Sequence, residues 1–247
     1  MGLAGWEDFF EKNIEGFFHR RFGSALEPVE VEKAIERVLW DRRKKSPRGD
    51  FVPNAFALRL NPEDYRRLSS RRFLEDLHVY VEKLLILTDA YMDERLHIRL
   101  TEDEALRLGR CKITSCFESE DAVLSDDKAA GGTLVLARTS FDMPLNLPPK
   151  RELASLTVVE GPDKQAALSF GEHTIYIGRR DKNEFSLTDV NVSRLHAGIE
   201  YRRHRHVLRD AGSLNGTLVN GIPVVESVLQ DGDEIRMGST QLLYEVL

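Results

Sequence analysis

The chain has 247 residues, of which 41% are hydrophobic, and its formal net charge is −6. This length allows two domains that each bury a core, and the charge is −1 over residues 1–118, −2 over residues 119–152 and −3 over residues 153–247. No region is basic overall, which argues against nonspecific nucleic-acid binding, because such binding depends on neutralising phosphates. With no apolar run of membrane-spanning length and no secretory leader, we expect a soluble cytoplasmic protein.

The N-terminal residues show helical spacing. Apolar side chains recur between Trp6 and Phe18 with mostly acidic residues opposite them, which predicts an amphipathic helix over residues 3–20. A membrane-surface helix usually carries a basic polar face, so we expect this helix to pack into a core. Pro28 begins a second predicted helix, which continues through Leu39.

A basic run, Arg42 to Lys45, follows the second helix. Clustered cations can bind nucleic acid or an acidic partner, and they can equally complement the C-terminal end of a helix while remaining in solvent. We favour the second interpretation, because one short cluster is weak evidence for a binding surface. An RNA-binding N-terminal domain stays open as the alternative.

The next residues alternate between strand and helix patterns. Apolar and polar residues alternate at Phe56–Leu60, Leu96–Leu100 and Cys111–Phe117, which predicts strands. Helical patterns begin at Asn61 and run from Arg71 to Tyr91. The order of elements predicts an α+β N-terminal domain with helices on one face of a small mixed sheet.

The two cysteines, Cys111 and Cys116, lie five residues apart in a predicted strand. Odd spacing sends them to opposite faces, so we expect free structural cysteines and no local disulfide. No further pair of His or Cys residues supplies the remaining ligands of a zinc site, so we predict no metal site.

Residues 119–152 differ in composition from the sequence on either side. Gly, Pro and Asp punctuate this stretch and little periodicity remains, which predicts a linker between an N-terminal domain at 1–118 and a C-terminal domain at 153–247. The exception is Thr133–Ala137, an apolar run that could form a short strand.

From Leu153 onward, short β-like runs recur between turn residues, and no helical stretch interrupts them. Many short strands without helices predict an all-β sandwich. The loops at one end of such a fold lie close together on a rigid scaffold, which favours a binding surface there.

Four short motifs fall in the predicted loops of the C-terminal domain: Gly178-Arg179, Ser193-Arg194-Leu195-His196, Asn215-Gly216-Thr217 and Asn220-Gly221. Arginine and serine side chains are donors that suit a phosphate group. The chain has no nucleotide phosphate-binding loop, nucleophile elbow or zinc-protease motif. We therefore predict an anion pocket, with no catalytic residues, no cofactor and no small-molecule substrate.

In this order, the motifs resemble those of the forkhead-associated (FHA) domain family. The resemblance implies an eleven-stranded sandwich that binds phosphothreonine peptides without catalysis. It assigns the phosphate to Arg179, Ser193 and Arg194, and the peptide backbone to Asn215 and Asn220. The remaining motif residues would support the architecture of the site: Gly178, His196, Gly216 and Gly221.

One position departs from the family pattern. FHA domains often have threonine before Asn-Gly-Thr, where its hydroxyl helps to hold the phosphate, and this chain has Leu214. A lost neutral hydrogen bond is worth roughly 1 kcal/mol. We expect two arginines in the pocket to outweigh that loss.

Residues 1–118 resemble the N-terminal domain of bacterial FhaA-like proteins, through the Trp6–Phe18 segment, the Glu27–Glu30 entry to the second helix and the overall layout. The resemblance implies an adaptor in Ser/Thr kinase signalling that regulates cell-wall synthesis or division. Its expected partners are a phosphothreonine-containing protein or kinase, and a second protein or a second copy of the chain bound by the N-terminal domain.

Overall fold

The computed structural model describes residues 16–19, for the backbone alone, together with residues 25–118 and 151–247, and the chain divides into two compact units. The strand predicted at Thr133–Ala137 lies outside the described residues. The limits proposed for the linker therefore stay predictions.

The described residues include three helices, which form where the sequence places capping residues and apolar spacing. Helix α1 (Pro28–Asp41) begins at a proline, and the Glu30 carboxylate accepts a hydrogen bond of 2.9 Å from the Glu27 N–H. Helix α2 (Pro62–Leu68) begins where the Asn61 side chain accepts from the Glu63 N–H at 3.0 Å. Helix α3 is Arg71–Leu87.

The prediction for helix α3 was wrong at its end, which we placed at Tyr91. The backbone leaves the helix after Leu87, and Asp89 adopts a positive φ of 52°. Strand β5 (Ala90–Tyr91) then pairs in parallel with strand β3 (Gly49–Phe51). Pairing with a distant strand overrides the local helical spacing of these residues.

Among the described residues, the main sheet of the N-terminal unit has four strands in the order β1-β7-β4-β6, where β1 is Gly16–His19. Strands β4 (Ala55–Leu60) and β6 (His97–Glu102) run parallel, and β7 (Arg110–Cys116) runs antiparallel to β4. Helix α1 contacts β7, and α2 contacts β4 and β6. This arrangement confirms the predicted α+β class.

The predicted N-terminal helix was wrong over its last residues. Gly16–His19 forms strand β1, which pairs antiparallel with Arg110–Ile113 of β7. The exposed edge of β7 offers backbone hydrogen bonds that a short helical turn cannot match. The earlier part of that predicted helix lies outside the described residues.

The basic run has partners within the N-terminal unit. Strand β2 (Lys44–Ser46) forms a hairpin with β3. The Lys45 ammonium lies 2.8 Å from an Asp50 carboxylate oxygen, and the Arg43 guanidinium lies 3.4 Å from the other. Lys44 lies 4.0 Å from the centre of the Phe117 ring, a cation–π contact. These contacts weaken the only support for an RNA-binding surface.

Both cysteines are buried with free thiols, as predicted. Burial raises the pKa of Cys111 and of Cys116 to about 12. Both side chains are therefore neutral at physiological pH, and packing accounts for their presence in β7.

Residues 151–247 form a sandwich of two sheets, with strand orders β11-β10-β12-β13-β16 and β15-β14-β17-β18-β8-β9. The strands number eleven in this part of the chain, and neighbours are antiparallel except for β10 and β11. The all-β prediction is confirmed. The strand bounds are β8 Ala154–Glu160, β9 Ala167–Phe170, β10 Ile175–Gly178, β11 Phe185–Ser186, β12 Ala197–Arg202, β13 Arg205–Asp210, β14 Thr217–Val219, β15 Ile222–Val224, β16 Glu226–Val228, β17 Glu234–Met237 and β18 Thr240–Val246.

A buried polar cluster joins the two sheets. The ring nitrogens of His206 lie 2.7 Å from the Tyr244 hydroxyl and 2.9 Å from the Gly171 carbonyl. Burial lowers the pKa of His206 to about 4, so the ring is neutral. It therefore donates to the carbonyl and accepts from the tyrosine, while Phe170 packs against its edge. These hydrogen bonds hold the two sheets together, so the sandwich is a rigid scaffold for its loops.

Candidate functional site

The predicted motifs lie mainly at one end of the sandwich. Strand register pairs Ile177 with Ala197, and Ala197 with Asp210. The end of β10, the start of β12 and the end of β13 are therefore neighbours. The loops that follow or precede these strand ends carry Arg179, Ser193 and the Asn215 motif.

Gly178 lets two of these loops approach each other closely. A Cβ atom at this position would lie 2.8 Å from the carbonyl oxygens of both Ser193 and Arg194. Without that atom, the Arg179 N–H donates to the Ser193 carbonyl at 3.0 Å, and the Arg180 N–H donates to the Arg194 carbonyl at 3.1 Å. The glycine thus allows two arginine-bearing segments to pair through their backbones.

The arginine side chains of these segments face solvent. Arg179, Arg180 and Arg194 are all exposed. None of the three guanidinium groups has an ion pair or a side-chain hydrogen bond with a residue that the structure describes. Their donors remain open to an external anion. The sequence reasoning missed Arg180, although its place directly after Arg179 was a usable signal.

Ser193 is held so that its hydroxyl can donate. The Ser193 Oγ accepts a hydrogen bond of 3.0 Å from the Leu214 N–H. Because a hydroxyl carries its own hydrogen as well as acceptor lone pairs, that hydrogen remains free for a ligand. The arrangement places a neutral donor where the loop that carries Ser193 and Arg194 meets the loop that carries Asn215.

His196 ties these loops together from within. It is fully buried, and its Nδ1 accepts from the Ser193 N–H at 3.0 Å. The other ring nitrogen therefore carries the hydrogen and donates to the Gly216 carbonyl at 3.1 Å. Burial lowers the pKa of His196, although a nearby carboxylate on Asp210 opposes the effect. A neutral imidazole thus braces two loops at once.

Asn215 links its loop to the turn before Ser193. Its Nδ2 donates to the Asn191 carbonyl at 2.8 Å, and the residue is exposed. Gly216 follows with a φ of +74°, a left-handed conformation that glycine adopts without strain. The side-chain oxygen of Asn215 has no hydrogen bond with a described residue, so it can accept one from a ligand.

Asp210 organises the loop that carries Asn215. Its carboxylate accepts from the Gly212 and Ser213 N–H groups, each at 2.8 Å, and from the Ser213 and Thr217 hydroxyls, each at 2.6 Å. Burial alone raises the pKa of Asp210, but these bonds outweigh it and the pKa is lowered. The sequence analysis missed this residue. An aspartate with Gly212 and Ser213 two and three residues after it is a turn signal that could have identified it.

Asp189 does the same for the turn before Ser193. Its carboxylate accepts from the Asn191 N–H at 2.9 Å, and from Ser239 and Thr240 at the β17–β18 turn. Despite burial, these bonds lower the pKa of Asp189 to about 2. This turn is therefore anchored to the second sheet. No local sequence signal marks a bond that spans fifty residues.

Asn220 and Gly221 occupy a different place. They form the two-residue turn between β14 and β15, with φ values of 51° and 79°, which are typical of a type I′ hairpin. The Asn220 side chain donates to Asp233 at 2.7 Å and accepts from the Glu234 N–H at 3.0 Å. One amide hydrogen remains for a ligand, and the predicted peptide contact stays a prediction.

Among the described residues, no helix is long and apolar enough to cross a bilayer.

Comparisons with known proteins agree with the site. The model of the FHA domain matches residues 175–238, which contain all four motifs, and the model of the FhaA N-terminal domain matches residues 3–114. An oxoglutarate dehydrogenase inhibitor of Corynebacterium efficiens is 39% identical over 133 residues, which cover 54% of this chain and 87% of that protein. The chain belongs to the FHA-domain family.

Other similar proteins include regulators and isolated FHA domains. The glycogen accumulation regulator GarA of Mycobacterium tuberculosis is 33% identical over 133 residues, covering 54% of this FHA protein and 78% of GarA. The solved FHA domain of FhaA, in complex with the intracellular domain of Rv3910, is 35% identical. It covers 37% of this chain and 99% of its own, with a TM-score of 0.35.

Proposed function

We propose that this FHA protein is a non-catalytic adaptor whose C-terminal domain binds phosphothreonine segments of other proteins. The observation that carries the proposal is the set of unpaired donors at one end of the sandwich. Arg179 and Arg194 are exposed beside each other's backbone segments, with no carboxylate partner among the described residues. Ser193, next to Arg194 in the chain, adds a hydroxyl hydrogen to this set.

The charge of the ligand suits these donors. A phosphothreonine carries about −1.5 to −2 charge and three acceptor oxygens. Hydrogen bonds to charged groups contribute about 1.5–3 kcal/mol each, about twice a neutral bond. Two arginines and one serine can therefore separate a phosphorylated peptide from its unmodified twin by a large factor.

The rigidity of the loops supports recognition without catalysis. His196, Asp189 and Asp210 hold the loops through buried hydrogen bonds. A preorganised site loses little conformational entropy when it binds. In the described residues these groups are engaged with the backbone and with hydroxyls, so we assign them to architecture and not to proton transfer.

The N-terminal domain is proposed to bind a second protein or a second copy of the chain. The names of the relatives describe regulators of metabolism, and we place this protein in the same broad class of regulator. We propose that it acts in the cytoplasm, where ATP-dependent kinases form phosphothreonine, and that it works downstream of Ser/Thr kinases in cell-wall synthesis or division.

Calorimetry with the full chain tests the phosphate site. A phosphothreonine peptide should bind, its unphosphorylated twin should not, and Arg179→Ala should abolish the difference. Arg202→Ala is a matched control, since Arg202 lies at the end of β12 that is opposite the Ser193 loop. Equal binding of the two peptides by the unaltered protein would refute the proposal.

A further inference from the structure

The sequence has two Asn-Gly pairs, Asn215-Gly216 and Asn220-Gly221. Asparagine is a chemically labile residue, and it is most labile before glycine, which has no side chain to keep its backbone nitrogen away from the asparagine amide. Both asparagines are exposed. Hydrogen bonds hold the two side-chain amides in different ways, and this difference determines which pair can react.

The reaction is deamidation, and its only co-reactant is water. The glycine backbone nitrogen loses its proton and attacks the side-chain carbonyl carbon of the asparagine, and the side-chain nitrogen leaves with that proton as ammonia. The product is a succinimide ring. Water then adds to one of the two ring carbonyl carbons and breaks the bond from that carbon to the ring nitrogen. Ring opening gives aspartate or isoaspartate, and in isoaspartate the main chain is longer by one methylene group.

Asn220 is held away from this reaction. Its Nδ2 donates to the Asp233 carboxylate at 2.7 Å, and its Oδ1 accepts from the Glu234 N–H at 3.0 Å. Both ends of the amide must be released before the Gly221 nitrogen can attack. A hydrogen bond to a carboxylate is stronger than one between neutral groups, so the release of Asn220 is costly.

Asn215 has fewer restraints. Its Nδ2 donates to the Asn191 carbonyl at 2.8 Å, a bond between neutral groups, and its Oδ1 has no hydrogen bond with a described residue. The Gly216 N–H, which is the attacking group, has no hydrogen bond with a described residue either. A Cβ atom on Gly216 would meet nothing within 4 Å, so the surrounding space is open to the movement that ring closure requires.

Deamidation of Asn215 changes the candidate site in two ways. The new carboxylate has no N–H group, so the bond to the Asn191 carbonyl is lost, and its negative charge repels a phosphate group nearby. In isoaspartate, the longer main chain also displaces Gly216, whose carbonyl accepts from His196 at 3.1 Å. The loop then loses the preorganisation that favours binding.

We propose that Asn215-Gly216 is a site of spontaneous deamidation, and that this modification disables the phosphate site as the protein ages. The effect on binding rests on the proposed phosphothreonine function, whereas the modification itself does not. Asn220-Gly221 has the same two residues and an exposed asparagine, yet its hydrogen bonds preserve it. The selectivity therefore comes from the fold and not from the dipeptide.

Incubation of the full chain at 37 °C in a mildly alkaline buffer tests the modification. Proteolysis and mass spectrometry follow the change from amide to acid at each pair, and labelling by an isoaspartate methyltransferase detects the isoaspartate product. Asn215 should react at least about tenfold faster than Asn220, whose amide must first leave a charge-assisted bond. Asn220 is thus an internal control with the same local sequence. Equal rates, or a faster reaction at Asn220, would overturn the inference.

Calorimetry with an alanine-based phosphothreonine peptide tests the effect on binding. In aged wild type, the fraction of competent sites should fall in step with the fraction of Asn215 that has reacted. Asn215→Asp carries one of the two reaction products and should bind about tenfold more weakly than fresh wild type. Asn215→Gln is the matched control, because glutamine keeps the amide but closes a larger ring much more slowly. Its affinity should be the same in fresh and aged samples.

The outcomes separate this inference from the proposed function. If fresh protein shows no phosphate-dependent binding, the phosphate site is wrong, and mass spectrometry still decides whether Asn215 is the reactive residue. If aged protein with modified Asn215 binds as well as fresh protein, the phosphate site stands and the effect of deamidation on it is wrong. An equal loss of binding in aged Asn215→Gln also overturns the inference, because damage elsewhere would then account for the loss.

Discussion

Cations in the N-terminal unit and cations at the end of the sandwich are used in different ways. Lys45 and Arg43 share the carboxylate of Asp50, and Lys44 lies on the ring of Phe117. Arg179 and Arg194 have no such partner among the described residues. The dense basic run thus has its partners within the unit, whereas the two separated arginines remain available to the proposed phosphate ligand. The number of charges in a segment is less informative than whether they are paired.

The buried carboxylates show a second contrast. Asp64 in the N-terminal unit accepts from the Leu26 and Gly109 N–H groups at 2.9 Å and 2.7 Å and holds secondary structure together. Asp189 and Asp210 use the same chemistry to hold loops that face solvent. A buried carboxylate that accepts several hydrogen bonds stabilises the N-terminal unit at Asp64, and it holds the loops of the candidate site at Asp189 and Asp210.

The largest expected effect comes from Gly178→Ala. The new Cβ would meet two carbonyl oxygens at 2.8 Å, which forces the Arg179 and Ser193 segments apart. Phosphopeptide affinity should fall about 100-fold, and overpacking should destabilise the fold by about 1–3 kcal/mol. Calorimetry and urea unfolding measure the two effects. Wild-type affinity in this variant would show that the close approach is unimportant.

Asp64→Ala should separate stability from binding. Removing a carboxylate that is 0% exposed leaves the Leu26 and Gly109 N–H groups without their acceptor. The N-terminal unit should lose about 3 kcal/mol of unfolding free energy, and peptide affinity at 15 °C should remain within about twofold of wild type. Reduced affinity in a sample that is still folded would contradict the assignment of Asp64 to stability alone.

The pH dependence of stability tests the polar cluster that joins the two sheets of the sandwich. An unfolded histidine has a pKa of about 6.5, and that of folded His206 is lowered to about 4 by burial. Between these values the unfolded chain binds the extra proton, so stability falls as pH decreases across this window and is unaffected above it. The loss should approach about 1.4 kcal/mol per pH unit.

Urea unfolding of wild type and His206→Gln at pH 7 and pH 4.5 measures this slope. The variant should start less stable and change less between the two conditions. His196, whose pKa is also lowered by burial, contributes in the same direction in both proteins and so cancels from the comparison. Identical slopes would mean that His206 does not titrate in this range.

The smallest effect is expected from Lys45→Ala. Its ion pair with Asp50 is largely in solvent, with 77% of the lysine side chain exposed, and such pairs contribute about 0–1 kcal/mol. Unfolding free energy should change by less than about 1 kcal/mol. In a filter-binding assay at low salt, neither wild type nor the variant should retain RNA. Retention that the variant loses would revive the RNA-binding alternative.

The strength of sequence prediction differed between elements for a physical reason. Strand alternation and turn residues identified the sandwich, because each strand of a half-buried sheet carries its own pattern. The same reasoning failed at Gly16–His19, where pairing with β7 replaced the helix that local spacing suggested. Helix α3 ends four residues before its predicted end because Ala90 and Tyr91 pair with β3.

In the candidate site, too, features with a local sequence pattern could be predicted and features that depend on distant residues could not. Loop motifs could be recognised because Gly, Asn and Arg occur there at fixed spacings, and the FHA model confirms the family that they indicated. Asp189 could not be recognised, since its partners Ser239 and Thr240 are remote in the chain. A single aspartate has no pattern until the fold supplies the groups that it binds.

By itself, the sequence determined the two classes of domain, the family of the second and the residues that carry positive charge into its loops. These properties depend on local spacing and residue type. Tertiary structure decided which cations are already paired, which carboxylates hold the loops and which of the two Asn-Gly pairs is held by hydrogen bonds. Pairing and burial depend on contacts between residues far apart in the chain, and only the folded backbone brings those residues together.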